Sequence, residues 1–320
     1  VVDGNEVTER FLWDLRRTIA DLFAENYSGQ FAEMAHRAGL KYSVESYGNC
    51  PSDDLQYGSH ADIPMSEFWP GNNSDPGNAK LAASIAHVYG RKYVGAESFT
   101  AEPSAGKWLK DPYSIKAQGD VVYCAGVNRI IYHRYAHQPW TNPARLPGMT
   151  MGQWGTHFER TLTWWEQSKD WLKYQARCQY LLQEGLFVAD VCFYCGEDAP
   201  NSLRGGGLPP GFDYDGCDTA ALKLMKVKDG RIVLPSGMSY RMLVLPGEKT
   251  MSPAVLQTIG GLVKDGATVV GPKPEKAPGL TGYPGCDADV KRLADEIWAK
   301  GVVDKSPSDV LADLRVKPDF

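Results

Sequence analysis

The sequence predicts an α/β fold in two parts. Residues 1–186 read as half of a parallel (β/α)8 TIM-type barrel, and residues 187–320 as a smaller, doubly wound α/β domain. Strand-like and helix-like segments alternate along the chain, which is typical of parallel sheets. Three strand-like runs in the first part each carry a glutamate at or near their end, and the pattern changes after Gly185.

The first part supplies about four strand–helix units. Apolar residues at three-to-four spacing predict its first and last helices, and Gly39 and Gly90 end two helices. A closed barrel needs eight such units over roughly 250 residues, so the predicted barrel is half complete. In chain order the segments are a helix over 7–38, a strand over 41–46, a loop over 47–58, a strand over 61–68, a helix over 79–89, a strand over 92–99, a helix near 114–120, a strand over 126–133 and a helix over 158–184.

The second part alternates shorter strands and helices. Ser252 is a helix N-cap followed by Pro253 at the first helical position, and an Asp229-Gly230 pair marks a hairpin turn. In chain order we predict a strand over 188–195, a loop over 201–217, a hairpin over 224–233, a strand over 241–245, a helix over 252–264, a strand over 267–271 and a helix over 287–300.

Charge and cysteine content exclude several classes of protein. The net charge of −5 gives no basic surface for nucleic acid or an anionic membrane, and no apolar run approaches the ~20 residues that span a bilayer. The seven cysteines are scattered, which does not indicate a disulfide framework. Cys192 and Cys195 form a single C-x-x-C within an apolar run, so we expect buried free thiols there and no metal.

The three glutamates are the main functional signal. Glu45, Glu67 and Glu97 follow three successive strand-like runs, and the strand ends of a parallel barrel converge on one face. Several carboxylates in one cleft with aromatic rings suit the acid–base chemistry that breaks a glycosidic bond. Glu97 follows the small residues Gly95 and Ala96, which leave room for a ligand.

Other polar and aromatic residues extend the candidate site. Trp69, two residues after Glu67, offers a ring for the apolar face of a sugar, and Asn128 and His133 could hydrogen-bond sugar hydroxyls. A structural role for that His is an equally good reading.

Acidic residues follow Glu45 closely enough in sequence to suggest a Ca²⁺ site. Asp53, Asp54 and Asp62 offer the hard oxygen ligands that Ca²⁺ prefers. Solvated loop acids are an equal alternative, because the spacing is not that of an EF-hand.

An ordered series of motifs resembles glycoside hydrolase family 106, the α-L-rhamnosidases. The similarity runs through nearly the whole chain, which makes the series more specific than any single motif. The motifs are Asp62–Trp69, Gly95–Thr100, Gly126–His133, Pro147–Gly152, Arg177–Gln183, Val188–Asp190, Leu234–Tyr240 and Leu243–Pro246.

The resemblance implies the C-terminal half of a (β/α)8 catalytic barrel followed by a flavodoxin-like domain. It implies an exported enzyme that removes terminal α-L-rhamnose from a glycan or glycoside with inversion, aided by Ca²⁺. Glu97 matches one of the two proposed catalytic carboxylates. Glu67 matches a position of the calcium and sugar pocket, and Glu45 matches an acidic residue on the preceding strand.

The resemblance also predicts that the second catalytic carboxylate lies upstream of the region matching Val1. On that expectation the chain is an internal piece that is inactive by itself. Two other readings stay open at this point: a retaining β-galactosidase-like glycosidase, and a sugar-binding remnant without turnover.

Overall fold

A computed structural model describes residues 4–48, 51–70, 76, 78–145 and 151–319. These residues form two four-stranded parallel sheets, a small antiparallel sheet and the helices that pack on them. The mixed α/β class and the parallel pairing are therefore confirmed. Residues 147–150 of the Pro147–Gly152 motif, and Cys50, lie outside the described residues.

The first sheet has the strand order β1-β2-β3-β4, and every neighbouring pair is parallel. A π-helical turn over Ala24–Gly29 joins the first two helices. The elements of this part are α1 (Glu6–Phe23), α2 (Gln30–Arg37), β1 (Ser43–Glu45), α3 (Asp54–Gly58), β2 (Ile63–Phe68), α4 (Ala79–Tyr89), β3 (Gly95–Ser98), α5 (Pro112–Cys124), β4 (Arg129–Tyr132) and α6 (Lys169–Leu182).

The second sheet has the order β6-β5-β10-β11 and is also parallel throughout. A separate antiparallel sheet has the order β7-β8-β9 and contains the predicted hairpin. The elements are β5 (Val191–Tyr194), β6 (Tyr214–Cys217), α7 (Thr219–Leu224), β7 (Lys226–Lys228), β8 (Arg231–Val233), β9 (Ser239–Tyr240), β10 (Met242–Val244), α8 (Pro253–Lys264), β11 (Thr268–Val270), α9 (Gly285–Trp298) and α10 (Pro307–Asp313).

Helix α4 connects the two sheets. Its small apolar face lies in the core beneath the first sheet, whereas Val88 belongs to the core of the second. On the same helix Lys80 forms an ion pair with Asp213 at 2.6 Å, and the His87 ring lies 2.8 Å from the fully buried Asp215. Gly90 ends the helix with a φ of 69°, a left-handed conformation that glycine adopts easily.

Three of the predicted segments need correction. The predicted loop over 47–58 contains α3, because the Asp53 side chain accepts hydrogen bonds from the backbone of Leu55 and Gln56 and caps a short helix. The predicted loop over 201–217 ends in β6, which adds a strand at the edge of the second sheet.

The long helix predicted over 158–184 begins later, at Lys169, after a 3-10 turn. Residues 156–158 instead run beside the chain that follows β4: Arg134 N donates to Thr156 O at 2.7 Å, and Phe158 N donates to Arg134 O at 3.1 Å. These hydrogen bonds pair the backbone groups of residues 156–158 with a neighbouring segment. The segment therefore does not form the helix that its apolar spacing predicts.

Cys192, Cys195 and Cys217 are buried free thiols, as the sequence predicted for the first two. Within the described ranges, no helix combines the length and the apolar character that crossing a membrane requires. The half-barrel, the flavodoxin-like assignment and the boundary near residue 186 stay predictions.

Candidate active site

The three glutamates share one face of the first sheet. Glu67 and Glu97 are directly paired on β2 and β3, and Glu45 pairs with Met65, two residues before Glu67. In a parallel sheet, paired residues and residues two apart along a strand point to the same side. This face is open to solvent, since Glu67 and Glu97 are half-buried and Ile131 on β4 is 40% exposed. We call it the acidic face.

Electrostatic coupling indicates that the three carboxylates lie close together. Burial raises the pKa of Glu45, the nearby Tyr47 hydroxyl opposes that rise, and the charges of Glu97 and Glu67 raise the pKa further. The pKa of Tyr47 is raised by burial first and then by the same three carboxylates. Because Coulomb interactions weaken with distance, both shifts place the acids in one neighbourhood.

Glu97 is held by the turn that follows β3. Thr100 Oγ1 donates a hydrogen bond of 2.5 Å to Glu97 Oε1. Phe99, between them, has a left-handed φ of 63° that a bulky residue rarely adopts. Its ring is fully buried against neighbouring rings, with centroids 4.8 Å from Phe68 and 6.0 Å from Trp171. This packing fixes the strained turn and orients the carboxylate.

Two tryptophans lie beside the acidic face. Trp69 directly follows β2, and its backbone carbonyl accepts a hydrogen bond of 2.6 Å from Gln118 Nε2. Its ring meets the Trp154 ring edge to face at 6.2 Å, and each residue is 40% exposed. Partly exposed rings offer an apolar surface that suits the C–H face of a sugar. Trp154 precedes the helix predicted over 158–184 and was not among the predicted site residues.

His133 lies at the same end of the sheet as Glu97. It directly follows β4, and its backbone N–H donates to Ser98 O at 3.0 Å. Its Nδ1 is buried and has no hydrogen-bond partner in the part of the chain that the structure describes. A Cβ at Gly155 would lie 2.9 Å from that Nδ1, so the glycine lets the loop approach the ring. The sugar-binding role of His133 stays a prediction.

The structure does not bring Asn128 to this site. It lies at the opposite end, where β3 and β4 begin, and its amide is used by the backbone. Oδ1 accepts from Val94 N at 2.9 Å, and Nδ2 donates to Lys92 O at 2.9 Å. It lines a cavity of about 480 Å³ between the two sheets, away from the glutamates. Its role is structural.

The aspartates suggested as calcium ligands serve other elements. Asp53 caps α3 and lies 3.3 Å from Arg17, and Asp62 accepts from Tyr42 N at 2.8 Å before β2 begins. Among the residues with described positions, no group of three or more His, Cys, Asp or Glu side chains converges closely enough to hold a metal. The calcium prediction therefore rests on Glu45 and Glu67, which supply part of the six to eight oxygens that Ca²⁺ takes.

The chain is similar to known proteins over its full length. The family model of the family 106 glycoside hydrolases, described as alpha-L-rhamnosidase, matches residues 1–320. A Formosa agariphila protein named "Putative beta-glucuronidase" is 43% identical over 99% of this chain and 28% of its own length. The solved rhamnosidase of Novosphingobium sp. PP1Y superposes with a TM-score of 0.88 and 34% identity, over 98% of this chain and 32% of that one.

More distant similarity concerns the fold alone. The β-galactosidase of the psychrophilic Marinomonas ef1 matches with a TM-score of 0.50 and 13% identity, over 87% of this chain and 46% of that one. The chain thus spans about a third or less of the two nearer relatives described above. The match to the family model over all 320 residues shows that the chain belongs to glycoside hydrolase family 106, the α-L-rhamnosidase family.

Proposed function

We propose that the protein removes terminal α-L-rhamnose from a glycan or glycoside, with inversion at the anomeric carbon. The observation that carries this proposal is the acidic face: three carboxylates on one open side of a parallel sheet, beside two partly exposed tryptophans. Family membership supports rhamnose as the sugar. Glu97 is the proposed catalytic residue, because its turn is the most firmly held part of this face.

Strand geometry distinguishes the roles of Glu97 and Glu67. Neighbouring strands lie about 4.8 Å apart, whereas the two carboxyl groups of an inverting pair stand roughly 6.5–9.5 Å apart. Glu67 is in register with Glu97 on the adjacent strand, so the two backbones lie closer together than the carboxyl groups of an inverting pair do. We therefore assign Glu67 to binding, and the second catalytic carboxylate to a residue other than Glu67.

Glu45 and Glu67 would hold the proposed Ca²⁺. When bound, the ion would orient sugar hydroxyls and offset the negative charge of the face. The raised pKa of Glu45, which burial causes first and the charges of Glu97 and Glu67 increase, supports this assignment, because a cation would relieve the repulsive part. Isothermal titration calorimetry with CaCl₂ tests it: Glu45→Gln should weaken binding, and Ca²⁺ affinity equal to that of the unaltered protein would exclude Glu45 as a ligand.

The finer architecture belongs to the same proposal. Strands β1–β4 would form half of a (β/α)8 catalytic barrel. The order β6-β5-β10-β11 follows the first four positions of the flavodoxin-like order 2-1-3-4-5, which supports a flavodoxin-like domain after residue 186. Export of the protein is likewise a proposal that family membership supports.

A second candidate is the removal of a β-glucuronosyl unit. The name of the 43%-identical relative favours it. The β-galactosidase-like and binding-remnant readings have no observation that favours them over rhamnoside hydrolysis.

Paired aryl glycosides separate the two candidates. The protein as its gene encodes it would be incubated with p-nitrophenyl α-L-rhamnoside and with p-nitrophenyl β-D-glucuronide, and the first-formed anomer would be followed by proton NMR. We expect release from the rhamnoside with inverted product. Release from the glucuronide alone would replace the first candidate by the second, and a retained product would exclude the inverting mechanism.

A further inference from the structure

Four buried polar side-chain atoms without a hydrogen-bond partner lie on two adjacent segments. Within the described residues, none of the four finds an acceptor or donor, although such atoms are usually satisfied in native proteins. Their concentration in one place points to a polar partner that the described residues do not supply. The atoms are His133 Nδ1, Arg134 Nε, Thr156 Oγ1 and His157 Nδ1.

Backbone hydrogen bonds hold these residues together. Arg134 N donates to Thr156 O at 2.7 Å, and Thr156 N donates to His133 O at 2.9 Å. The two segments follow β4 and so lie at the same end of the first sheet as Glu97. Trp108 covers the group, because its ring stacks on His157 with centroids 4.5 Å apart while 41% of the residue is exposed.

The cluster is rich in donors. Arginine can only donate, so Arg134 Nη2 gives its hydrogen to His157 Nε2 at 3.0 Å. The neutral His157 ring then carries its proton on Nδ1, which makes that atom a donor. Burial, and then the charge of Arg134, lower the pKa of His157 and favour this neutral form. Arg134 Nε and the Thr156 hydroxyl add two more donors beside His157, whose ring also interacts with the Gly152 backbone.

The cluster contains a buried cation, Arg134, whose charge the buried Glu159 carboxylate offsets in part. Arg134 is 8% exposed, and the nearest acidic influence on it is Glu159, which forms no ion pair with it. The Glu159 oxygens accept instead from the backbone and the hydroxyl of Thr161. Because the Glu159 oxygens are bonded elsewhere, the guanidinium of Arg134 has no ion-pair partner among the described residues and can accept an anionic ligand.

We propose that Arg134, Thr156 and His157 form an oxyanion-binding subsite that takes a carboxylate or sulfate group. The planar guanidinium of Arg134 and the two further donors of the subsite match the acceptor oxygens of such a group. The inference that a glycan carries this oxyanion rests on the proposed function. Binding of the anion itself requires neither rhamnose nor turnover, and the two proposals can fail separately.

The test measures anion binding directly. Sodium sulfate, sodium D-galacturonate and neutral D-galactose would be titrated against the protein at constant ionic strength set with NaCl, with tryptophan fluorescence reporting through Trp108. We expect saturable binding of at least one anion at millimolar concentration and none of galactose. Sulfate alone indicates a sulfate ester, galacturonate alone a sugar acid, and both indicate an oxyanion site that accepts either.

Variants identify the site. Arg134→Met should reduce anion affinity by about tenfold or more, and Thr156→Val, which keeps the side-chain shape, by about tenfold. Arg145→Met is the control, since Arg145 is exposed and lies over the Trp140 ring. Thr156→Val also keeps the test valid if Arg134→Met does not fold.

Two results would overturn the proposal. One is the absence of saturable binding of either anion, which would leave ordered water as the partner of the cluster. The other is an equal loss of affinity in Arg145→Met and Arg134→Met, which would show a general effect of surface charge.

Discussion

The two parallel sheets of this protein differ in how their faces are covered. The second sheet is buried on both sides: Val191, Met242 and Val270 face one core, and Leu243 and Val269 face the other. The first sheet buries one side only, with Phe68, Ala96 and Ile130 in its core. Its other side is the acidic face.

This difference separates stability from function. Parallel sheets are normally covered on both faces, and packing among the described residues does not explain three carboxylates on one face. Burial, and to a smaller extent the charges of Glu97 and Glu67, raise the pKa of Glu45, so the charged form of this acid is disfavoured on the face. Local conflicts of this kind are expected where a site has a chemical role. Substitutions on the two sheets should therefore affect different measurements.

Glu97→Gln should give the largest effect. It should lower activity and leave stability unchanged. Removal of an essential acid–base group lowers the rate on the order of 10²–10⁴-fold. The fold should persist, because Glu97 lies on the open face and the buried ring of Phe99 holds the turn. The measurement is kcat on an aryl rhamnoside together with the melting temperature, in the protein as its gene encodes it.

Glu102→Gln is the matched control, since this carboxylate is exposed and lies in the loop beyond β3. It should leave both quantities unchanged. A Glu97→Gln rate within a factor of about two of the unaltered protein would remove Glu97 from the mechanism, because general acid–base catalysis supplies far more than that.

Two methionine substitutions compare the sheets directly. Met242→Ala, fully buried in β10, should lower the free energy of unfolding by about 2–5 kcal/mol. Met65→Ala, half-buried on the acidic face, should lower it by less than about 1 kcal/mol. Urea unfolding of the described chain measures both. Equal losses would mean that the acidic face is covered as fully as the second sheet.

Local sequence signals predicted the regular elements well. The strands that carry Glu45, Glu67 and Glu97, the helix over 79–89 and the capped helix after Ser252 all lie where the pattern placed them. Errors arose where contacts between residues far apart in the sequence determine the local structure. Residues 158–164 have a helical pattern, yet Phe158 bonds to the backbone of Arg134, which sequence periodicity does not encode.

The site was predictable only in part, for the same reason. A glutamate at a strand end is visible in the sequence, and parallel register then brings Glu67 and Glu97 to one face. Asn128 also looked like a site residue in the sequence. It lies at the other end of its strand, where its side-chain amide bonds to the backbone. Trp154 lies in an irregular loop and Arg134 just beyond the end of β4, so no periodic signal places them beside the sheet.

Alanine substitution at two helical glycines should have opposite effects in the two parts. A Cβ at Gly119 in α5 would lie 3.2 Å from the enclosed Phe99 ring, so Gly119→Ala should destabilise by about 1 kcal/mol and lower kcat. A Cβ at Gly261 in α8 meets nothing within 4 Å. Gly261→Ala should therefore stabilise by about 0.5–1 kcal/mol through helix propensity.

Chemical denaturation and kinetics of both variants check this pair. Unchanged kcat and raised stability in Gly119→Ala would show that the Phe99 ring can move, and that the turn does not hold Glu97 as tightly as its packing indicates.

Asp53 lies at the junction of the two parts, and its expected effect is a change in how stability depends on pH. Beside it, Asp54 N donates to Asn201 O at 2.9 Å, which joins α3 to the loop after β5. Burial, and then the charge of Asp218, raise the pKa of Asp53 from 3.8 to about 6. The folded state thus binds this proton more tightly than the unfolded chain, and the resulting stability is lost as the pH rises from about 4 through 6.

Asp53→Asn should remove that dependence while the amide still caps the helix. We expect the free energy of unfolding of the variant, relative to the unaltered protein, to rise by on the order of 1–2 kcal/mol between pH 4 and pH 7. Urea unfolding at several pH values measures this difference. A difference that stays flat or falls with pH would mean that Arg17, 3.3 Å away, keeps the Asp53 carboxylate charged in the folded state, so that the ion pair outweighs burial at the junction.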